Sequence, residues 1–553
     1  MKEVSVIISG GGSVGLSLAA ELGWRGIDCM ILEQASNLNP HPRANAVANR
    51  TMEYYRRWGI DKSITEAGIP PDHPADYYWV SSLHGRKLHG ISLPPFKKIK
   101  EVKDTGGYVK EEHTWSPYLK TITGQNEVEE VILNYLHTLK SVDINFNTNL
   151  KVFDQDSDGV TCHIKNLKTG KTDLVRSKYL IACDGGKSMV REQLNIGLKG
   201  RADMAKFVSI YFKAPDFMNC HRFGSANIFF PLHKSYAGFL LNWDGGTTFT
   251  YHLMLKKGQL WNEVDAKASI EAVLGKSTPI EIISTQPWTA HALVAEKYHD
   301  NRVILAGDAV HLFTPTGGFG MNTGVSDAID IAWKIQAMVE GWGGKYLIDS
   351  YFKERHSIGV RNTKEAADCF DQLYSVMQYG DELGDETEIG INIRKKLSID
   401  LKEQDKLIAS SGTLLGYRYN NSPVIIPDGT EETIDNPRKY IPTARPGHRA
   451  PHIWLEEGVS IYDKFSKNFT LLVFFKDKKE TNNFLDTAKE INFPLILLIV
   501  KQTPLHETDE PKSLFENFRL VSIVILVLFI LFLRNFTFPV LKIIPLNIIK
   551  ILF

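Results

Sequence analysis

The chain is short of cysteine, carries no excess charge of either sign and shows no internal repeat, and each shortage excludes something. Its five cysteines, Cys29, Cys162, Cys183, Cys220 and Cys369, are scattered without paired spacing. A disulfide framework and a zinc or other metal site are therefore not expected, and a reducing, cytoplasmic compartment is. With 64 basic residues against 64 acidic ones in 553, no basic field is available to bind nucleic acid. The amino terminus runs straight into an apolar strand at Val4, so no signal peptide is expected. The length suits two or three domains.

What is present concentrates in three strand-to-loop motifs. The most informative is Arg302 to Gly324, where an apolar strand (Val303 to Ala306) ends in Gly307-Asp308. The chain then passes through Pro315, Gly317, Gly318 and Gly320 and opens a long helix from about Asn322 to Glu340. Such a design brings bare backbone N–H groups against a ligand. Asp308 is placed to accept hydrogen bonds from a ribityl or ribose hydroxyl, and the positive helix end beyond Gly320 suits negative charge on a flavin ring. Chemistry is expected beside Pro315 to Asn322.

At the amino terminus, Val4 to Ser9 leads into Gly10-Gly11-Gly12-Ser13-Val14-Gly15, a helix to about Arg25 and a strand Cys29 to Leu32 ending at Glu33. Glycines at 10, 12 and 15, followed by an acid roughly 20 residues on, fit the dinucleotide fingerprint of tight turn, close pyrophosphate approach and close helix packing. Between these two motifs, Tyr179 to Arg191 gives another buried strand ending in Asp184-Gly185.

In this order and spacing the three motifs resemble the FAD-dependent aromatic hydroxylases, the single-component flavoprotein monooxygenases that include phenol and hydroxybenzoate hydroxylases. The resemblance extends through His41-Pro-Arg-Ala-Asn-Ala-Val, through Gln125 and its helix, and through Asp327 to Lys334 and Ser350 to Arg355, covering about residues 1 to 520. It implies that Gly10, Gly12, Ser13, Val14 and Gly15 hold the FAD pyrophosphate and that Glu33, with Gln34 beside it, holds the adenosine ribose. Arg43 and Gln125 would be additional FAD contacts, and Asp184 would serve both FAD and the nicotinamide cofactor. Gly307 and Asp308 would hold the ribityl chain, and Pro315 with the backbone of Gly317, Gly318, Gly320, Met321 and Asn322 would face the flavin. The implied reaction uses NAD(P)H to reduce FAD, and O2 then forms a flavin C4a-hydroperoxide that hydroxylates a small phenolic or other aromatic substrate. A phenolate partner is expected among Asn45, Tyr211, Tyr236, Tyr251 and His252, with no catalytic residue singled out; His311 reads as structural. A bulky polycyclic or polyketide substrate is the alternative within the fold. A flavin-bound but inactive, membrane-associated protein is the alternative outside it.

The expected fold is α/β. A Rossmann-like FAD-binding domain (1–72, 122–198 and 286–365) interleaves with a mixed β-sheet substrate domain (73–121 and 199–285) rich in aromatics and β-formers. A helical segment and irregular linker follow at 366–436. Residues 437–520, from Pro446 to Trp454 onward, resemble the thioredoxin-like carboxyl-terminal domain of these hydroxylases, with core strands Phe469 to Phe475 and Pro494 to Val500. No Cys-x-x-Cys is present, so packing or subunit contact, as in a homodimer, is its expected role.

The tail 521–553 breaks the pattern, for no acid follows Glu516 and the apolar run Leu520 to Leu533 is 14 residues long. That falls short of the roughly 20 needed to span a bilayer, and Arg534, Lys542 and Lys550 oppose insertion from a cytosolic body. Three readings stand side by side: a membrane-surface tail, a transmembrane anchor, or AT-rich intron translated as a last exon.

Overall fold

The computed structural model describes residues 1–93, 95, 97, 112–233, 235–344, 346–379, 381–402, 404, 410–473 and 478–499. The tail and the expected strand ends at Phe475 and Val500 lie outside them. Among the described residues the strands form two eight-stranded sheets and three two-stranded ones.

The first sheet is built around five parallel strands in the order Val303–Leu305, Thr172–Ala182, Lys2–Ser9, Cys29–Leu32 and Val142–Asn145. Its central members are near-continuous apolar runs, as befits parallel strands buried in a core; Val6, Ile7, Ile8, Leu180 and Ile181 are fully buried. A hairpin, Thr148–Gln155 with Val160–Asn166, adds to Thr172–Ala182. The carboxyl ends of the parallel strands deliver Gly10, Glu33, Asp184 and Asp308 to one edge, where ligands of open α/β sheets bind.

The second sheet is mixed. Its order is His311–Leu312, Glu281–Ala295, Leu198–Lys213, Thr248–Met254, Gly238–Asn242, Ile228–Pro231, Tyr77–Val80 and Lys87–Ile91, antiparallel except where Ile228–Pro231 meets Tyr77–Val80. Register places Phe207 opposite Trp288, Ser209 opposite His252, and Phe239 opposite His252. Because side chains alternate, one face gathers aromatics: Phe207 stacks on Trp288 at 4.3 Å and Trp79 on Phe230 at 4.8 Å. The helix Leu347–Met377 closes over this face with Phe370, Leu373 and Val376. It runs unbroken through the boundary expected at 365, as Glu281–Ala295 runs through that at 286.

Two helices meet where the glycine loops converge. The helix Ser13–Arg25 packs on Phe319–Val339 with Val14 wedged between Gly307 and Gly324, where an added Cβ would lie 2.9 and 2.6 Å from its methyl. The long helix begins at Phe319 rather than Asn322, because the left-handed turn at Gly317 (φ 78°) and Gly318 (φ 67°) finishes there and frees the next residue to turn helical. Near the carboxyl end, Phe469–Val473 and Leu495–Ile499 pair in parallel around the helix Lys478–Glu490 and pack on Trp333 and Trp342.

Candidate active site

The first glycine loop is shaped by three different constraints. Gly10 has φ 107°, and a Cβ there would lie 2.3 Å from the Cys183 carbonyl oxygen, while a Cβ on Gly15 would lie 2.0 Å from the carbonyl of Gly10. Both positions exclude a side chain through packing. Gly12 caps the helix without any side-chain hydrogen bond, and its surroundings are open. The first turn of this helix therefore has no side-chain cap from its own N-cap residue, an arrangement that suits an anion.

Two carboxylates sit beside this loop. Glu33 Oε2 accepts from Gly11 N at 2.7 Å and Oε1 from Ala35 N at 2.7 Å. Glu129 Oε1 accepts from Ser13 N at 2.9 Å and from Gln125 Nε2 at 2.7 Å. Gln125 N donates to the Ala44 carbonyl at 2.8 Å, tying this helix to the loop that bears Arg43.

Asp308 occupies a short turn whose support is buried charge. Gly307 N donates to Asp327 Oδ2 at 3.2 Å, His311 Nε2 pairs with the same oxygen at 2.7 Å, and Arg355 Nε donates to Asp327 Oδ1 at 2.6 Å. Burial alone would raise the Asp327 pKa, but Arg355 and His311 outweigh it and hold it low. Asp308 opens onto the cavity yet is surrounded by protein. Its pKa is raised by burial, against the pull of His311 and Arg43. The Asp184 carboxyl is likewise raised by burial; Oδ2 accepts from Val190 N at 3.3 Å, and Oδ1 is buried with no partner among the described residues.

One cavity of about 1290 Å³ joins these groups. Gly10, Gly12, Ser13, Val14, Glu33, Gln34, Arg43, Gln125, Asp184, Asp308, Pro315, Gly317, Gly318, Gly320 and Met321 all line it. Gly15, Gly307 and Asn322 do not. The two glycines serve packing, and the Asn322 side chain ties the loop to the next segment: Oδ1 accepts from Ala48 N at 2.8 Å and Nδ2 donates to the Ala46 carbonyl at 2.9 Å. The opposite wall is Tyr77, Ile228, Phe230, Phe239 and Leu241 of the mixed sheet with Leu373 of the covering helix. An orphaned carboxylate oxygen, a glycine cradle at a helix end and an apolar wall fit a pyrophosphate ligand carrying ribose hydroxyls and a flat ring system. A recess of about 20 Å³ beside Tyr417 and Arg449 is too small for such a ligand.

Of the five expected phenolate partners, only Asn45 reaches the cavity, with Nδ2 buried and unpartnered among the described residues. Tyr251 is buried in the core and donates to the Tyr236 carbonyl; His252 stacks behind Phe239 at 4.5 Å and accepts from Trp288 Nε1 at 3.2 Å. Tyr211 packs edge-on against His41. His41 itself went unassigned in the sequence, yet it lines the cavity and bonds both Ser209 Oγ and Ser284 Oγ at 2.7 Å. Burial, then Arg43, pushes its pKa down to about 4. Glu129 also went unassigned, although its place four residues after Gln125 puts both on one helix face.

A family model described as "FAD binding domain" matches residues 3–366. The chain is 30% identical over 528 residues to the FAD-dependent monooxygenase apdD of Emericella nidulans, covering 89% of this chain and 82% of that one. It is 30% identical over 481 residues to a putative polyketide hydroxylase of Streptomyces halstedii, covering 85% and 80%. Among solved structures, the flavin-dependent monooxygenase PieE in complex with FAD and substrate superposes with a TM-score of 0.81 at 26% identity, covering 91% of this chain and 90% of that one.

Proposed function

The chain belongs to the FAD-binding-domain family and is an FAD-dependent monooxygenase, and from that premise we propose that it uses NAD(P)H and O2 to hydroxylate an aromatic ring lying against the mixed sheet. The observation that carries this reading is a cavity with glycine-loop backbone and carboxylates on one wall and aromatic and aliphatic side chains on the other. Bound FAD supplies the reduced flavin that activates dioxygen. The N–H groups of Gly12, Ser13 and Val14 bind pyrophosphate, with Gly10 and Gly15 holding the loop in shape. Glu33 and Gln34 accept the ribose hydroxyls, Asp308 the ribityl hydroxyls on the Gly307 turn, and Asp184 serves both FAD and the nicotinamide cofactor. Arg43 and Gln125 add FAD contacts. Pro315 and the backbone from Gly317 to Met321 orient the flavin ring, Asn322 braces that loop, and Phe230, Phe239 and Leu373 exclude water from the reacting face.

A second reading, a bulky polycyclic or polyketide substrate, is favoured by the similarity to a putative polyketide hydroxylase. About 1290 Å³ exceeds the roughly 300–1,000 Å³ of a pocket for one ligand, as a cavity for a cofactor beside its substrate requires. The parallel strand pair around the helix Lys478–Glu490 supports a thioredoxin-like fold for the described part of 437–520. No helix among the described residues is long and apolar enough to cross a membrane, and the scattered free cysteines support a cytoplasmic protein.

The test is NAD(P)H oxidation by the FAD-loaded full chain across phenols of one to four rings, with product and peroxide quantified. Stimulation with hydroxylated product supports the hydroxylase, and stimulation confined to multi-ring phenols supports the second reading. Bound FAD without stimulation by any of them would leave an idle flavoprotein.

A further inference from the structure

The phosphate-binding turn holds a feature that a site for a dianion would not be expected to contain. Ser13 N, at the start of the helix Ser13–Arg25, points at a glutamate that is 95% buried: Glu129 is 5% exposed and lines the cavity. Its Oε1 takes both the Ser13 N–H and the Gln125 amide. A charged carboxylate and a pyrophosphate cannot share these donors, since two anions at hydrogen-bond range in a poorly solvated site repel by several kcal/mol.

We propose that Glu129 is a proton-coupled gate on the cofactor: as the FAD pyrophosphate takes the Ser13 N–H, Glu129 accepts one proton from solvent and turns from competing acceptor into neutral donor. The inference rests on the FAD reading of this cavity. The groups facing Glu129 fit the role. Gln125 flanks it on its own helix, Ser13 approaches from the first helix, Arg43 from the neighbouring loop, Glu33 from the strand end and Tyr55 from the helix Asn49–Trp58. Burial already raises its pKa, with Glu33 adding to the rise, and the bonds from Gln125 and Ser13 together with Arg43 oppose it. The pyrophosphate dianion drives the shift in the same direction as burial. A carboxyl whose pKa is higher in the complex than in the free protein makes binding strongest at low pH, and affinity falls between the two pKa values as pH rises. Glu33 differs: it is only partly buried at the end of its strand and bonds Gly11 and Ala35 instead.

The experiment is calorimetric titration of FAD into the full chain purified free of flavin, in two buffers of different ionisation enthalpy and across pH. Uptake approaching one proton per FAD is expected, with Kd weakening towards about tenfold per pH unit. Glu129→Gln should bind FAD more tightly at neutral pH, without proton uptake and with a flattened pH profile. Glu129→Asp should keep the uptake, and the wild-type measurement stands by itself if Glu129→Gln does not fold. FAD binding without proton uptake overturns the proposal, as does uptake that persists unchanged in Glu129→Gln. Failure of FAD to bind at any pH overturns the cofactor reading and this proposal with it, which separates the two failures.

Discussion

Replacing Arg355 with methionine tests whether the Asp308 turn stands on a buried ion pair. Both side chains of the pair are fully buried. Arg355 Nε lies 2.6 Å from Asp327 Oδ1, and its Nη2 donates to the Thr323 carbonyl at 3.1 Å. Methionine fills much of the volume but leaves the Asp327 charge without its guanidinium, a loss of about 3–5 kcal/mol for a broken buried pair. The pH dependence follows from the sign of the shift. In the wild type burial raises the Asp327 pKa but Arg355 and His311 lower it further. Its stability contribution is therefore present above the unfolded aspartate value and lost as pH falls through the folded one. In Arg355→Met burial is less opposed, the folded pKa rises, and the contribution is lost as pH rises instead. The deficit against wild type should thus shrink on acidification towards pH ~5. Urea unfolding at two pH values reads this, and adding Asp327→Asn should recover at least half of the loss at neutral pH. A deficit below about 1 kcal/mol, one independent of pH, or a double variant no better than the single would refute the reasoning.

Gly10→Ala, whose Cβ would lie 2.3 Å from a backbone oxygen, should purify without flavin, whereas Gly12→Ala, with no atom nearer than 3.9 Å, should keep its fold; flavin absorbance per chain and circular dichroism check both. Asp308→Ala should weaken FAD binding about ten- to a hundredfold, the worth of charged hydrogen bonds, read by flavin fluorescence. Leu373→Trp narrows the apolar wall and should raise KM for large aromatic substrates with FAD affinity unchanged. His41 has its pKa pushed down to about 4 from 6.5 by burial and then Arg43. The unfolded chain therefore binds more protons in that window, and stability falls as pH drops through it. His41→Asn should show a smaller fall in thermal stability over the same range.

Much of the architecture was legible because it is written in local pattern. Apolar β-branched runs ending in Gly-Asp or in a glycine loop mark buried parallel strands and the turns after them. Val4 to Ser9 and Val303 to Leu305 are strands for that reason. The long helix starts three residues before Asn322 because Gly318 lets the turn finish there. Residue type, which suggests the phenolate partners, carries no information about which face of a strand meets the cavity. Tyr251 therefore proved to be core, while Asn45 reaches the site.

The sequence by itself determined the α/β class, the glycine-shaped turns and the acids that follow them, since a backbone that must adopt φ near 107° at Gly10 leaves its mark in the residue allowed there. Only the tertiary structure decided which distant groups meet. It brings Glu129 to Ser13 across 116 residues, His41 to Ser209 and Ser284, and Arg355 to Asp327 beneath the Asp308 turn. Such pairings depend on strand register and helix packing. A hydrophobic period constrains each face of one element and leaves open which part of another element it will touch.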